Sequence, residues 1–333
     1  GRHEFSNILD DYYEYDKKLQ DQLVRLRDLI LTRNDLLENS DKLRELERNI
    51  TLFHVDAITQ SLKKYNDPID LIGFHGQTIF HNPEKKISKQ LGDGNLLSQL
   101  VKKKVIYDFR QEDIENQGQG APLTPIFHNL LSKKINEKKK INYPICFVNI
   151  GGISNITKII RKDEKLEENI EAFDIGPGNC MIDNWVRKNS EDKFDENGSI
   201  AKSGNVNQLI LNQIIDNFKI LSFKKSLDIK DFDVSFARGL SLEDGSATIT
   251  DFTAYLIAQG IKYSNGKNQE PIKYLLCGGG RKNSFLIESI KYYLSNKNNI
   301  SLDVIDKHNF NGDFIESQAF GYLAIRSYLN LPI

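Results

Sequence analysis

Between Phe147 and Trp185 a short apolar run, a glycine pair and a second glycine-rich turn follow one another, and this succession restricts the fold more than any other stretch. Cys146-Phe-Val-Asn-Ile150 leads into Gly151 and Gly152, and Ile153-Ser-Asn-Ile-Thr-Lys-Ile-Ile160 follows. β-Branched and apolar residues on both sides of a glycine pair predict two strands joined by a tight turn, with a charged hairpin tip beyond them near residues 161–168. Paired glycines let a backbone approach a ligand closely and aim successive N–H groups at an anion such as phosphate. An ordinary hairpin turn uses the same residues.

Next, Glu171-Ala-Phe-Asp174-Ile-Gly176-Pro-Gly178-Asn179 runs into Cys180-Met-Ile-Asp183-Asn-Trp185, which has the apolar spacing of a buried helix. Asp174 therefore stands where a strand meets a turn. There it serves either as a general base on a group bound over the helix N-terminus or as a turn-former or helix cap.

The 333 residues, 39% of them hydrophobic, suffice for two lobes of ordinary size, with the division expected at 1–112 and 113–333. Lys and Arg (45) offset Asp and Glu (46) to a net charge of -1, so no overall field attracts nucleic acid or an anionic membrane. Cys146, Cys180 and Cys277 are widely spaced, without a C-x-x-C pair or a histidine at zinc-site distance. A reducing cytoplasm fits these thiols, and neither an apolar run of membrane length nor a signal sequence is found. The chain starts at Gly1 in charged, helix-like sequence and its single methionine is Met181, which reads as a fragment.

Residues 8–66 place Leu19, Leu23, Leu26, Leu29 and Ile30 at helical spacing among dense charges, predicting amphipathic helices with a solvated face. Ile69 to His81 reads as a buried strand ending in a polar cluster. His75, Gln77 and Thr78 there offer donors and acceptors to a polyhydroxylated ligand, although a lone histidine is also a common structural residue. A short helix to about Lys103 and a strand from Val105 to Arg110 imply a parallel crossover. Arg110 either clamps a carboxylate or phosphate or pairs with Asp108 or Asp113. The loop from Asn116 to Pro125 precedes a helix to about Ser132, followed by a solvated lysine-rich connection through Lys140. Beyond Trp185 a helix is expected near Asn207 to Asn217, and a long one from Ala247 to Tyr263. Then Tyr274-Leu-Leu-Cys277 meets Gly278, Gly279 and Gly280, a run that lets a base or ribose lie against backbone. A strand from Ile300 to Val304 precedes a last helix whose first turn holds Glu316, which can simply complement the helix dipole.

Gly73-Phe-His75-Gly-Gln-Thr78, Gly92-Asp-Gly-Asn95, Asp108-Phe-Arg110, Gly118-Gln-Gly-Ala-Pro-Leu123, Asn149-Ile-Gly-Gly-Ile-Ser-Asn155, Phe173-Asp-Ile-Gly-Pro-Gly-Asn179 and Cys277-Gly-Gly-Gly280 occur in one order. Together they resemble the anhydro-N-acetylmuramic acid kinase family from about Leu71 to Arg326. The resemblance implies an α/β fold of the two-lobed actin-like ATPase and sugar kinase superfold, with mixed sheets flanked by helices and a cleft between the lobes. It further implies a cytoplasmic enzyme of cell-wall sugar recycling that uses ATP and Mg2+, with no metal ligand assigned here, and that forms a homodimer. Its substrate would be 1,6-anhydro-N-acetylmuramic acid, opened by water while its 6-oxygen receives the γ-phosphoryl. Asp174 matches the family's base, and Glu316, His75 and Gln77 match sugar-side positions. Thr78 and Arg110 belong to the same substrate group. Gly151 and Gly152 match the second phosphate loop, with Gly176 beside it, and Gly278, Gly279 and Gly280 match the adenosine turn.

The family's first strand and turn, of the type Gly-x-Met-Ser-Gly-Thr-Ser-x-Asp-Gly, has no counterpart in this sequence, and the C-terminus stops short of the family's closing segment. Arg110-Gln-Glu-Asp113 replaces a more basic run, and Lys225-Ser-Leu-Asp228 departs from Lys-Ser-Thr-Gly. A kinase for another sugar, or a non-catalytic remnant that binds nucleotide or muropeptide, therefore stands as the alternative.

Overall fold

The computed structural model describes residues 5–65, 67–161, 169–218, 223 and 226–333. The charged tip beyond Arg161, and Lys224 and Lys225 of the polar segment, lie outside the described residues. The chain packs as two compact units, Gly1–Phe127 with Ser317–Ile333, and His128–Glu316.

In the first unit the expected amphipathic helices are α1 (Lys17–Leu29), α2 (Arg33–Glu38) and α3 (Ser40–Lys64). The Asp16 carboxylate caps α1 by accepting the Leu19 N–H at 2.7 Å. Leu19, Leu26, Leu43, Leu46 and Ile50 form one buried cluster with Ile79, Phe80 and Leu91. The stretch from Ile69 to His81 is two strands rather than one, β1 (Leu71–Phe74) and β2 (Gln77–Asn82). The break is at Gly76, whose φ of +70° turns the chain. β2 pairs antiparallel with β3 (Ile87–Leu91), and after α4 (Gly94–Val101) strand β4 (Lys104–Tyr107) lies parallel to β1.

Two boundaries differ from expectation. Asp108 adopts φ +61°, which stops β4 at Tyr107 and starts α5 (Phe109–Glu115), so Arg110 sits on a helix and not at a strand end. Helix α6 (Pro125–Lys139) passes Ser132 because Ile135, 1% exposed, extends the buried face begun by Leu131. The lysine-rich stretch is thus mostly helix.

The second unit is built on a sheet of β5 (Ile145–Ile150), β6 (Ile153–Ile159), β7 (Ile170–Pro177), β8 (Ile272–Cys277) and β9 (Ile300–Val304), in the order β7-β6-β5-β8-β9. β6 is antiparallel to both neighbours, whereas β5, β8 and β9 run parallel, so the sheet is mixed. The helices of this unit include α7 (Asn179–Asn189), α8 (Ser199–Ser203), α9 (Gln208–Asn217), α10 (Leu242–Asn265) and α11 (Ser284–Leu294), whereas α12 (Ile315–Tyr328) belongs to the first unit from Ser317 onward. Cys146, Val148, Ile150, Tyr274 and Leu276 pack with Ile257 and Ile261 of α10 and Leu286 and Ile290 of α11. Phe147 meets the His128 ring of α6, stacked at 4.6 Å. Burial of alternate residues against different helices explains why β5 reads as an unbroken apolar run. This is the expected α/β fold with mixed sheets and flanking helices.

Helix α10 starts at Leu242, earlier than expected, because Ser241 Oγ accepts the Asp244 N–H at 3.0 Å. Gly245 is kept inside that first turn by close packing. A Cβ there would lie 2.1 Å from Trp185 Cζ2, and the indole N–H donates to the Leu242 carbonyl at 3.0 Å. Gly245→Ala should displace the indole and cost about 2 kcal/mol of stability by overpacking. Denaturant unfolding checks it, and an unchanged midpoint would contradict this packing. Among the described residues no helix is long and apolar enough to cross a membrane.

Candidate active site

Within the second unit, β5, β7 and β8 run in one direction, so their carboxyl ends open on one edge of the sheet, where α/β folds place ligands. Gly151-Gly152 follows β5, Gly178 follows β7 and Gly278 follows β8. The first two of these turns are hydrogen-bonded to each other. The Asn179 N–H donates to the Gly151 carbonyl at 2.7 Å, and those of Gly178 and Cys180 donate to the Gly152 carbonyl at 2.8 and 3.2 Å. The first amides of α7 are therefore spent on the glycine turn. They are not left for a group over the helix N-terminus, as the sequence had suggested. The closeness requires glycine at 178, since a Cβ would sit 2.2 Å from the Gly151 oxygen.

Gly151 and Gly152 differ in kind. Neither has a positive φ, and a Cβ on either would meet no protein atom nearer than 3.5 and 3.7 Å. No backbone acceptor among the described residues takes their N–H groups. Internal packing gives no reason for glycine at either position, whereas a ligand needing close contact with backbone does. Gly279 is similar, its nearest neighbour being Asn179 Nδ2 at 3.6 Å. Gly278, at φ +78°, and Gly280 are instead packed tightly, against Asn149 and Ile150 and against Ile150 and Asn179. Gly176 is buried inside β7 with Leu256 of α10 against it.

Asp174 lies on edge strand β7 opposite Asn155, beside a bulge in β7, where Ile175 is the extra residue against Ser154 and Asn155. Its Oδ2 accepts the Leu227 N–H at 2.8 Å. Burial pushes its carboxyl up to about 6, against the lowering effect of that hydrogen bond. Asn155 Oδ1 is buried, with no hydrogen-bond donor among the described residues.

In the first unit, Arg110 Nε donates to His75 Nε2 at 3.0 Å and Nη1 donates to the Gly120 carbonyl at 2.6 Å. Arginine only donates, so the His75 proton is on Nδ1, which donates to the Gly76 carbonyl at 2.9 Å. Burial, with the nearby Arg110 charge, lowers His75 to about 3 and keeps the ring neutral. Asp113 Oδ2 accepts the Gly120 N–H at 2.7 Å, so both peptide groups of Gly120 are held and the glycine-rich loop is pinned at its middle. Gln77 donates to Tyr15 Oη at 3.1 Å, and Thr78 accepts from Gln90 at 3.3 Å. Glu316 is in the second unit, exposed in the first turn of α12.

The candidate residues thus form a strand-end group in the second unit and a group around His75 and Arg110 in the first, and Glu316 joins neither. Sequence reasoning did not single out the Leu227 amide or Asn179 as site components. A backbone donor reaching 53 positions back has no sequence signal, and an asparagine after Pro-Gly is an ordinary helix start. Among the described residues no group of three or more His, Cys, Asp or Glu is placed to hold a metal ion.

A mixed α/β sheet with glycine turns at the carboxyl ends of its strands, and a buried carboxylate beside them, fits the class of phosphotransferases. The comparisons with known proteins narrow it. The family model described as anhydro-N-acetylmuramic acid kinase matches residues 1–333, and the chain belongs to that family. The anhydro-N-acetylmuramic acid kinase of Pelagibacter ubique is 52% identical over 336 residues, covering 100% of this chain and 87% of its relative. That of Rhizobium etli is 35% identical, covering 96% of this chain and 84% of its relative. Gluconate kinase from Lactobacillus acidophilus is a distant structural likeness, with 12% identity, a TM-score of 0.37 and coverage of 77% and 48% of the two chains.

Proposed function

We propose that the chain transfers the γ-phosphoryl group of ATP to 1,6-anhydro-N-acetylmuramic acid with hydrolytic opening of the anhydro bond. Water attacks the anomeric carbon and gives up a proton, the bond from that carbon to the 6-oxygen breaks, and the freed oxygen takes the phosphoryl group. ATP, water and the anhydrosugar become ADP, N-acetylmuramic acid 6-phosphate and a proton. Asp174 accepts the proton from water. The Leu227 N–H engages Oδ2, which leaves Oδ1 for the proton in this reading.

The observation that carries this reading is Asp174 itself, a buried carboxylate raised to about 6, so that it is ionised at neutral pH yet basic enough to take a proton. The unfilled space at Gly151, Gly152 and Gly279 supports a nucleotide alongside it, the first two glycines meeting phosphate through their N–H groups and the Gly278–Gly280 turn meeting adenosine. Mg2+ bound through the phosphate oxygens would neutralise charge on the transferred group. His75, Gln77, Thr78, Arg110 and Glu316 contact the sugar, and the two packing units are the two lobes. In this reading the enzyme works in the cytoplasm on peptidoglycan breakdown products, as a homodimer.

The test is phosphate transfer from labelled ATP to the anhydrosugar in 18O-water. Label should enter the anomeric hydroxyl and not the phosphate, and label in the phosphate would refute attack at carbon. The pH profile follows from the base. Below about pH 6 Asp174 is protonated, so kcat/KM should fall roughly tenfold per pH unit as the solution becomes more acidic. A flat profile down to pH 4.5 would remove Asp174 from this role.

A further inference from the structure

Arg281 follows the Gly278–Gly280 turn, yet its side chain is only 4% exposed. Nε and Nη2 engage both oxygens of Asp306 at 2.7 and 2.9 Å, and Nη1 reaches Asp313 Oδ1 at 2.7 Å. The same Nη1 donates to the Gly278 carbonyl at 3.0 Å. Lys282 Nζ takes the other Asp313 oxygen at 2.6 Å. The fork geometry of a guanidinium suits this bidentate task, which an ammonium cannot duplicate. The loop after β9 is shaped around it, since a Cβ at Gly312 would fall 2.2 Å from Arg281 Nε, and the Gly312 N–H donates to Asp306 Oδ1 at 3.3 Å. One buried cation thereby fastens a glycine turn, itself without side chains to hold it, to two carboxylates of another loop.

We infer that Arg281 is a positioning residue for the nucleotide. By tying the Gly278 carbonyl to Asp306 and Asp313, it sets the path of the backbone on which adenosine rests. The inference deepens the proposed function and rests on its reading of that turn. A purely structural arginine would lower stability and disturb both substrates alike, whereas a positioning one acts on ATP and ADP alone.

The experiment measures KM for ATP, KM for the anhydrosugar, kcat and calorimetric ADP binding for the full chain and for Arg281→Lys, Arg281→Met, Gly312→Ala and Asp313→Asn. Arg281→Met should raise KM for ATP and Kd for ADP roughly tenfold or more, leaving KM for the sugar and kcat within about threefold. Arg281→Lys should fall between it and the parent. Gly312→Ala displaces the guanidinium without changing any charge and should reproduce the same split. If Arg281→Met does not fold, Gly312→Ala and Asp313→Asn, both of which keep the arginine, decide the matter. Equal rises in both KM values, or none in these variants, would overturn the inference while leaving the kinase reading intact. A parent chain that neither binds ADP nor transfers phosphate would remove both.

Discussion

Asp174→Asn should abolish turnover and at the same time make the protein more stable at neutral pH. The amide cannot accept a proton from water, so phosphoryl transfer should fall by about a thousandfold or more, the scale of general-base catalysis. Sugar and ATP affinity should change little. Stability follows from the direction in which burial moves the carboxyl. It stands at about 6 in the folded chain, above its unfolded value, so folding is unpenalised below about pH 4 and loses stability as pH rises towards 6. A rise from the ordinary value of about 4 sets a ceiling of about 3 kcal/mol, and partial solvent access reduces this to about 1–2 kcal/mol. The amide avoids the cost and still offers an oxygen to the Leu227 N–H. Thermal unfolding at pH 7.5 and pH 4 checks both arms, because the gain should appear at the first and vanish at the second. A variant that is active, or destabilised at pH 7.5, would contradict the role and the environment assigned to Asp174.

Gly178→Ala and Gly152→Ala should separate folding from ligand binding across two turns that hydrogen-bond to each other. At 178 the added Cβ would lie 2.2 Å from a carbonyl oxygen that is itself held by the Asn179 N–H, so neither side yields cheaply. We expect a loss of about 2–4 kcal/mol. At 152 the nearest atom is Ile229 Cγ2 at 3.7 Å, so stability should stay within about 0.5 kcal/mol. The methyl group there stands where a phosphate would approach, and KM for ATP should rise about tenfold or more. Chemical denaturation and steady-state kinetics of the two variants provide the comparison. Unchanged kinetics in Gly152→Ala would sink the phosphate assignment for this turn.

Much of the second unit was legible because its signals are local. The hairpin around Gly151-Gly152, the strand from Ile300 to Val304 and the helix to Asn217 each carry apolar periodicity bounded by turn residues, and they appear where expected. Boundaries failed where one backbone angle or one distant contact decided. Asp108 turns left-handed and moves Arg110 from strand to helix. Helix α10 starts before the expected Ala247, and Gly245 in its first turn is a cleft for the Trp185 ring. At Gly245 the deciding neighbour lies far along the chain, whereas at Asp108 a single backbone angle decides.

Residue types and their order were enough to identify an α/β chain, its glycine turns, the candidate carboxylate Asp174 and the family to which the motifs belong. Only the tertiary structure decided which glycines are demanded by packing and which face open space. It also decided that the α7 amides are spent on the Gly151-Gly152 carbonyls, and that residues 317–333 fold with the first unit. The physical reason is range. Turn chemistry and periodicity act over a few residues, whereas the desolvation that lifts Asp174 and the hydrogen bonds that hold Arg281 come from segments that only folding brings near.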